Sequence, residues 1–97
     1  MVKSRHMEYE VLVSKQAQKD FKKIKDAGLA PKVRRLIDIL HEDPFKEYPR
    51  YEALRGDLKG FYSRRINIQH RLVYSVDKKT RTVRILRMWT HYDYRHN

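Results

Sequence analysis

The sequence predicts an α+β fold in which two N-terminal helices cover one face of a small, mainly antiparallel sheet, in the order β-α-α-β-β-β. Two stretches between Ser14 and Pro44 repeat apolar residues at helical spacing. Three later stretches between Phe61 and Trp89 alternate apolar and polar residues at the two-residue period of a strand. A short apolar, β-branched run, YEVLV, precedes both sets.

YEVLV, from Tyr9 to Val13, reads as the first strand. Ser14 then offers an N-cap side chain. Ala17, Phe21 and Ile24 follow at helical spacing, and Gly28 marks the C-terminal end of that helix. Pro31 suits the first turn of a second helix, along which Val33, Leu36, Ile37 and Leu40 fall at i, i+3, i+4 and i+7. That helix ends before Pro44. From Pro44 to Gly60, Pro49, Gly56 and Gly60 break regular structure, with room for a short strand or turn around Glu52 and Leu54. FYSRRINI, a break at 67–69, HRLVYSVD, a turn at 77–80 and TVRILRMW complete an antiparallel meander.

The 97 residues make one domain, placed at 7–93. Residues 1–6 read as an expression leader and 94–97 as a loose C-terminal tail. No run approaches the ~20 apolar residues of a membrane span. The absence of cysteine excludes disulfides and thiolate metal sites. His41, His70 and His91 lack the spacing of a metal site, so no metal and no cofactor is expected. The cytoplasm is the default compartment.

Lys and Arg number 23 against 12 Asp and Glu, a formal net charge of +11. So strong a field draws polyanions and speeds their association. Nucleic acid is the first candidate partner, an acidic protein the second and an anionic membrane surface the third. The cationic faces of the two helices read as solvated.

Side chains alternate along a strand, so Arg65 shares a face with Phe61 and Ser63, and Arg71 with Val73 and Ser75. Leu72, Tyr74 and Val76 lie opposite, as the face packed on the helices. On the last strand Val83, Ile85, Arg87 and Trp89 alternate with Arg84, Leu86 and Met88. Arg64 points away from Arg65 and reads as structural or peripheral. The uncovered sheet face is then rich in arginine, with Glu52 arriving from the preceding loop and His91 from the chain end. His70 reads as strand-lining or core, and Trp89 as core.

This inventory suits cleavage of an RNA phosphodiester by its neighbouring 2′-hydroxyl without a metal. That reaction needs a base for the hydroxyl, stabilisation of the phosphorane and a proton for the departing 5′-oxygen. Glu52 supplies a carboxylate whose ordinary pKa near ~4.3 rises toward working pH if partly buried. Its alternative role is to orient an arginine in a salt bridge. Arg65 and Arg71 supply planar forks that match phosphate oxygens, or else pair structurally with Glu52 or Asp57. His91, with an ordinary pKa near ~6.5, suits proton donation.

The segments YEALRGDLKGFYSRRI and HRLVYSV and the terminal HYD resemble the YoeB/Txe branch of the RelE superfamily of toxins from bacterial toxin–antitoxin systems. The resemblance runs from about Met7 to Asp93. It implies a RelE-like, microbial-RNase-like sheet and a ribosome-dependent endoribonuclease that cuts mRNA in the ribosomal A site, arresting translation. In residue terms it implies Glu52 as general base, Arg65 and Arg71 as phosphate and transition-state arginines, His91 as general acid and Tyr92 as its neighbour. Arg55 stands where relatives often carry a lysine. Arg55, Lys59 and Arg87 are read as RNA-binding. The implied partners are the 70S ribosome with its mRNA, and a YefM/Axe-like antitoxin with a disordered acidic C-terminal arm. Operator DNA would be reached only through the antitoxin, and a homodimer is compatible with this branch. The competing readings are a non-enzymatic basic RNA- or ribosome-binding module, and a co-repressor acting with an antitoxin on DNA.

Overall fold

The two helices and the sheet they cover form as the periodicity predicts, with one strand more than expected. The computed structural model describes residues 8–89; residues 1–6 and 94–97, for which a leader and a tail are expected from sequence, lie outside them. The chain runs β1 (Glu10–Val13), α1 (Lys15–Asp26), α2 (Ala30–Glu42), β2 (Tyr51–Ala53), β3 (Phe61–Arg65), β4 (Arg71–Asp77) and β5 (Thr82–Arg87). A 3₁₀ turn at Gly56–Leu58 separates β2 from β3.

The Ser14 hydroxyl accepts the Ala17 amide at 3.0 Å, which caps α1, and donates to the Leu86 carbonyl at 2.9 Å. One side chain therefore starts a helix and ties it to the last strand. Gly28, at φ +75°, supplies the left-handed residue that ends α1 and turns the chain into α2. Pro31 stands in the first turn of α2 and Asp43 caps its end, just before Pro44.

The strands are ordered β1-β5-β4-β3-β2. β1 pairs parallel to β5, and the other pairings are antiparallel. Tyr51–Ala53, in the region where the sequence allows a short strand or a turn, pairs with β3 and extends the sheet. Ala17 and Ile24 from α1, Val33, Leu36 and Leu40 from α2, and Leu72, Tyr74, Val83 and Ile85 from the sheet form the buried core. Burying these side chains is the main source of stability for so short a chain. Among the described residues no helix lies on the opposite sheet face.

Alternation along β5 departs from the expectation at one point. Tyr74 pairs with Ile85 but Val73 pairs with Arg87, so a bulge absorbs Leu86. Ile85 and Arg87 consequently do not share a face, and Met88 is buried at 2% exposure.

Tyr74 yields a measurable consequence of this packing. Its hydroxyl donates to the Pro44 carbonyl at 2.8 Å and accepts from Arg64 Nε at 3.2 Å. Burial pushes its pKa up from 10.0 to about 12, against the lowering pull of Arg64. The folded state thus holds this proton when the unfolded chain has released it. The resulting stability is complete below pH 10.0 and is lost as pH rises toward about 12. The denaturant midpoint is expected to fall more steeply from pH 9 to pH 11 (about 1–2 kcal/mol of linkage) in the wild type than in Tyr74→Phe. Equal slopes would remove Tyr74 from the alkaline transition.

Candidate active site

Strand register assembles a cluster on the sheet face opposite the helices. Glu52 of β2 lies opposite Ser63 of β3, Ser63 opposite Val73 of β4, and Arg65 of β3 opposite Arg71 of β4. The pleat therefore points Glu52, Ser63, Arg65 and Arg71 to the same side. Arg71 Nη1 reaches Glu52 Oε1 at 3.3 Å and Ser63 Oγ at 3.3 Å. Both contacts are longer than the ~2.7–2.9 Å of a tight charge-assisted hydrogen bond.

Burial differs across the cluster. Ser63 is buried, the Arg71 side chain is 18% exposed, and Glu52 is 45% exposed. Glu52 is thus the most open of the three, on a three-residue strand at the sheet edge. The alternative expectation, a salt bridge to an arginine, is the arrangement present. An ion pair this open contributes little to stability, about 0–1 kcal/mol.

The Arg65–Arg71 pair carries more information. Like charges directly opposite in an antiparallel sheet are destabilising. The pair borders a groove of about 630 Å³ that Lys32 and Arg50 also line, with Glu52 as the one carboxylate among the described residues that line it. Four cations around one acid make an anion site, and their forks and ammonium match phosphate oxygens. Lys32 and Arg50 were missed by sequence reasoning. Lys32 enters from the first turn of α2, and Arg50 from the loop before β2, so only the tertiary fold brings them here.

The remaining residues singled out from sequence fall elsewhere. Arg55 and Lys59 are exposed at either end of the 3₁₀ turn and do not line this groove. Arg87 directs Nε to Asp20 Oδ2 at 2.9 Å. Arg64 points inward and is fully buried. His70 is buried and stacks on Trp89, ring centroids 3.8 Å apart, matching the core or strand-lining expectation for both. His91 and Tyr92 lie outside the described residues. Among the described residues no cluster of three or more His, Cys, Asp or Glu side chains could hold a metal ion. No helix among them is long and apolar enough to cross a membrane.

Comparison with known proteins gives a consistent picture. The family of YoeB-like toxins of bacterial type II toxin–antitoxin systems matches residues 13–92. Toxin YoeB of Streptomyces coelicolor is 47% identical over 49 residues, which cover 50% of this chain and 58% of that protein's length. The fold is similar to a YoeB dimer from Staphylococcus aureus, with a TM-score of 0.74 and 32% identity over 88% of this chain and 99% of the other. It is also similar to a YoeB–YefM complex from Staphylococcus aureus, with a TM-score of 0.71 and 32% identity over 87% of this chain and 98% of the other.

Proposed function

Because the chain belongs to the YoeB-like toxins of bacterial type II toxin–antitoxin systems, we propose that it is a ribosome-dependent endoribonuclease that cuts mRNA in the A site and arrests translation. The observation that carries this reading is the convergence of Glu52, Arg65 and Arg71, from three neighbouring strands, on one arginine-rich sheet face.

The scissile phosphate enters between Arg65 and Arg71. Arg71 then turns donors from Glu52 to a non-bridging oxygen, and the released carboxylate takes the 2′-hydroxyl proton. The 2′-oxygen attacks phosphorus, and the bond to the 5′-oxygen breaks. His91 gives that oxygen its proton, and Tyr92, next in the chain, hydrogen-bonds the phosphate or stacks on a base. The products are a 2′,3′-cyclic phosphate and a 5′-hydroxyl. Side chains supply both proton transfers and the charge neutralisation, so the reaction is metal-independent. Lys32 and Arg50 hold a neighbouring backbone phosphate, while Arg55 and Lys59 add charge at the rim.

The proposed inhibitor is a YefM-like antitoxin with an acidic arm that covers this cationic face. A YoeB–YefM complex of the Staphylococcus aureus relative supports a partner of this kind. A homodimer, as in that protein's dimer structure, and operator binding through the antitoxin belong to the same proposal. The cytoplasm, where ribosomes translate, is the proposed compartment.

Mapping mRNA 5′ ends after induction tests the reading. Wild-type protein is expected to produce new ends within translated codons, and Glu52→Gln or His91→Gln to abolish them and restore growth, a loss of at least ~10²-fold for either proton-transfer group. Intact mRNA with the wild type, and identical growth for all three, would leave only a cationic binding module. Such a module would bind with steep salt dependence and no single indispensable side chain.

A further inference from the structure

Asp20 sits in the middle of α1 at 1% exposure, on a helix face otherwise occupied by Ala17 and Ile24. A carboxylate buried at a core position is costly unless several donors meet it. Five contacts do. Arg87 gives Nε at 2.9 Å and Nη2 at 3.4 Å, the Met88 amide 2.9 Å, the Trp89 amide 3.3 Å, and Gln16 Nε2 3.0 Å. Burial pushes this carboxyl up, but Arg87, the two amides and Gln16 outweigh it and hold the pKa below the ordinary value. Asp20 is therefore ionised at neutral pH.

Four of the five contacts come from residues 87–89, at and just beyond the end of β5. The pairing of β5 with β4 ends at Arg87, so Met88 and Trp89 direct their amides to Asp20. A bulge immediately before this point re-aims the chain. Trp89 is held a second time by its stack on His70, 3.8 Å between centroids at an interplanar angle of 20°. His70 directly precedes Arg71 of the phosphate cluster. The end of β5 is thus fastened to α1 on one side and to the start of β4 on the other. His91 follows Trp89 by two residues in the sequence.

We infer that Asp20 is a positioning residue for catalysis: its carboxylate, with the His70–Trp89 stack, fixes the segment that delivers His91 to the phosphate held by Arg65 and Arg71. This inference rests on the nuclease reading above. A displacement of about 1 Å in a catalytic group can cost on the order of 10²-fold in rate. A carboxylate that binds no substrate can therefore control the chemical step.

The test is single-turnover cleavage on mRNA-programmed ribosomes by the full chain, well below the melting temperature of each variant. Asp20→Asn keeps the size and one acceptor oxygen but loses the charge. Its saturating rate is expected to fall about 10–100-fold with little change in half-saturating concentration. Adding Asp20→Asn to His91→Gln is expected to lower the residual rate no further, because the two act through one group. Trp89 is the chain's single tryptophan. Its fluorescence anisotropy is expected to drop in Asp20→Asn, reporting a loosened segment without reference to activity. His70→Leu, which removes the second fastening and leaves Asp20 intact, is expected to show the same rate-without-affinity loss.

Wild-type rates in both Asp20→Asn and His70→Leu would overturn the inference. So would equal fractional losses with and without His91, or a loss confined to half-saturation. If the wild type itself fails to cleave, the nuclease reading falls. The anisotropy then decides separately whether Asp20 holds the segment, and unchanged anisotropy ends the proposal.

Discussion

Arg71→Ala is expected to slow single-turnover mRNA cleavage by about 10²–10³-fold, the usual loss when one preorganised electrostatic stabiliser is removed from a reaction centre. The side chain is 18% exposed and touches both Glu52 and Ser63. Truncation therefore removes a phosphate fork and the group that holds the proposed base. Arg71→Lys is expected to fall between wild type and alanine, because an ammonium keeps the charge but not the planar pair of donors. Arg65→Ala should lose cleavage to a similar extent, yet its denaturant midpoint is expected to hold or rise slightly. It removes one of two like charges fixed opposite each other across β3 and β4. Falling activity with unimpaired stability is the signature of groups placed for a ligand rather than for the fold. Unchanged cleavage in both alanine variants would remove the arginine pair from the mechanism.

The parts of this site legible in the sequence are those governed by local periodicity. Alternation within each strand groups Arg65 with Phe61 and Ser63, and sets Arg71, Val73 and Ser75 against Leu72, Tyr74 and Val76; that the two arginines share a side follows only from the register of β3 on β4. The helix boundaries at Ser14, Gly28 and Pro44 are equally local, set by a hydroxyl, a left-handed backbone and a ring that cannot continue a helix. The parallel partnership of β1 with β5 joins segments about seventy residues apart, and no short-range pattern encodes it. The β5 bulge is a misfit between neighbours, visible only once both strands are placed. Asp20 and Arg64 reverse the rule that assigns charge to solvent, and each is explained only by the donors or acceptors that surround it. How far Glu52 is exposed, 45% on an edge strand, is likewise set by strand order and not by any local pattern.

Arg64 carries the largest stability effect. The side chain has no solvent exposure and sits inside the turn between α2 and β2. Its guanidinium donates to the carbonyls of Pro44 and Lys46 at 2.9 Å each, to that of Pro49, and to the Tyr74 hydroxyl at 3.2 Å. The rings of Tyr51 and Tyr74 stand 5.1 and 5.9 Å from its central carbon. The loop at 44–50 has almost no backbone ladder, so this one side chain gathers three of its carbonyls. Leaving a buried acceptor without a donor costs about 1–3 kcal/mol. Arg64→Met fills much of the space but donates nothing, and is expected to destabilise the fold by about 3–5 kcal/mol. Against a total of about 5–15 kcal/mol that is a large share, and the melting temperature is expected to drop by at least about 12 °C. The same loop runs directly into Tyr51 and Glu52, so the effect reaches the site. Arg64→Lys, with one charge and three donors but no fork, is expected to fold and to cleave more slowly than its stability loss explains, because Glu52 is no longer held in register. Wild-type melting in Arg64→Met would mean that the loop is ordered by its aromatic packing instead, with Phe45, Tyr51 and Tyr62 in mutual edge contact as the remaining scaffold.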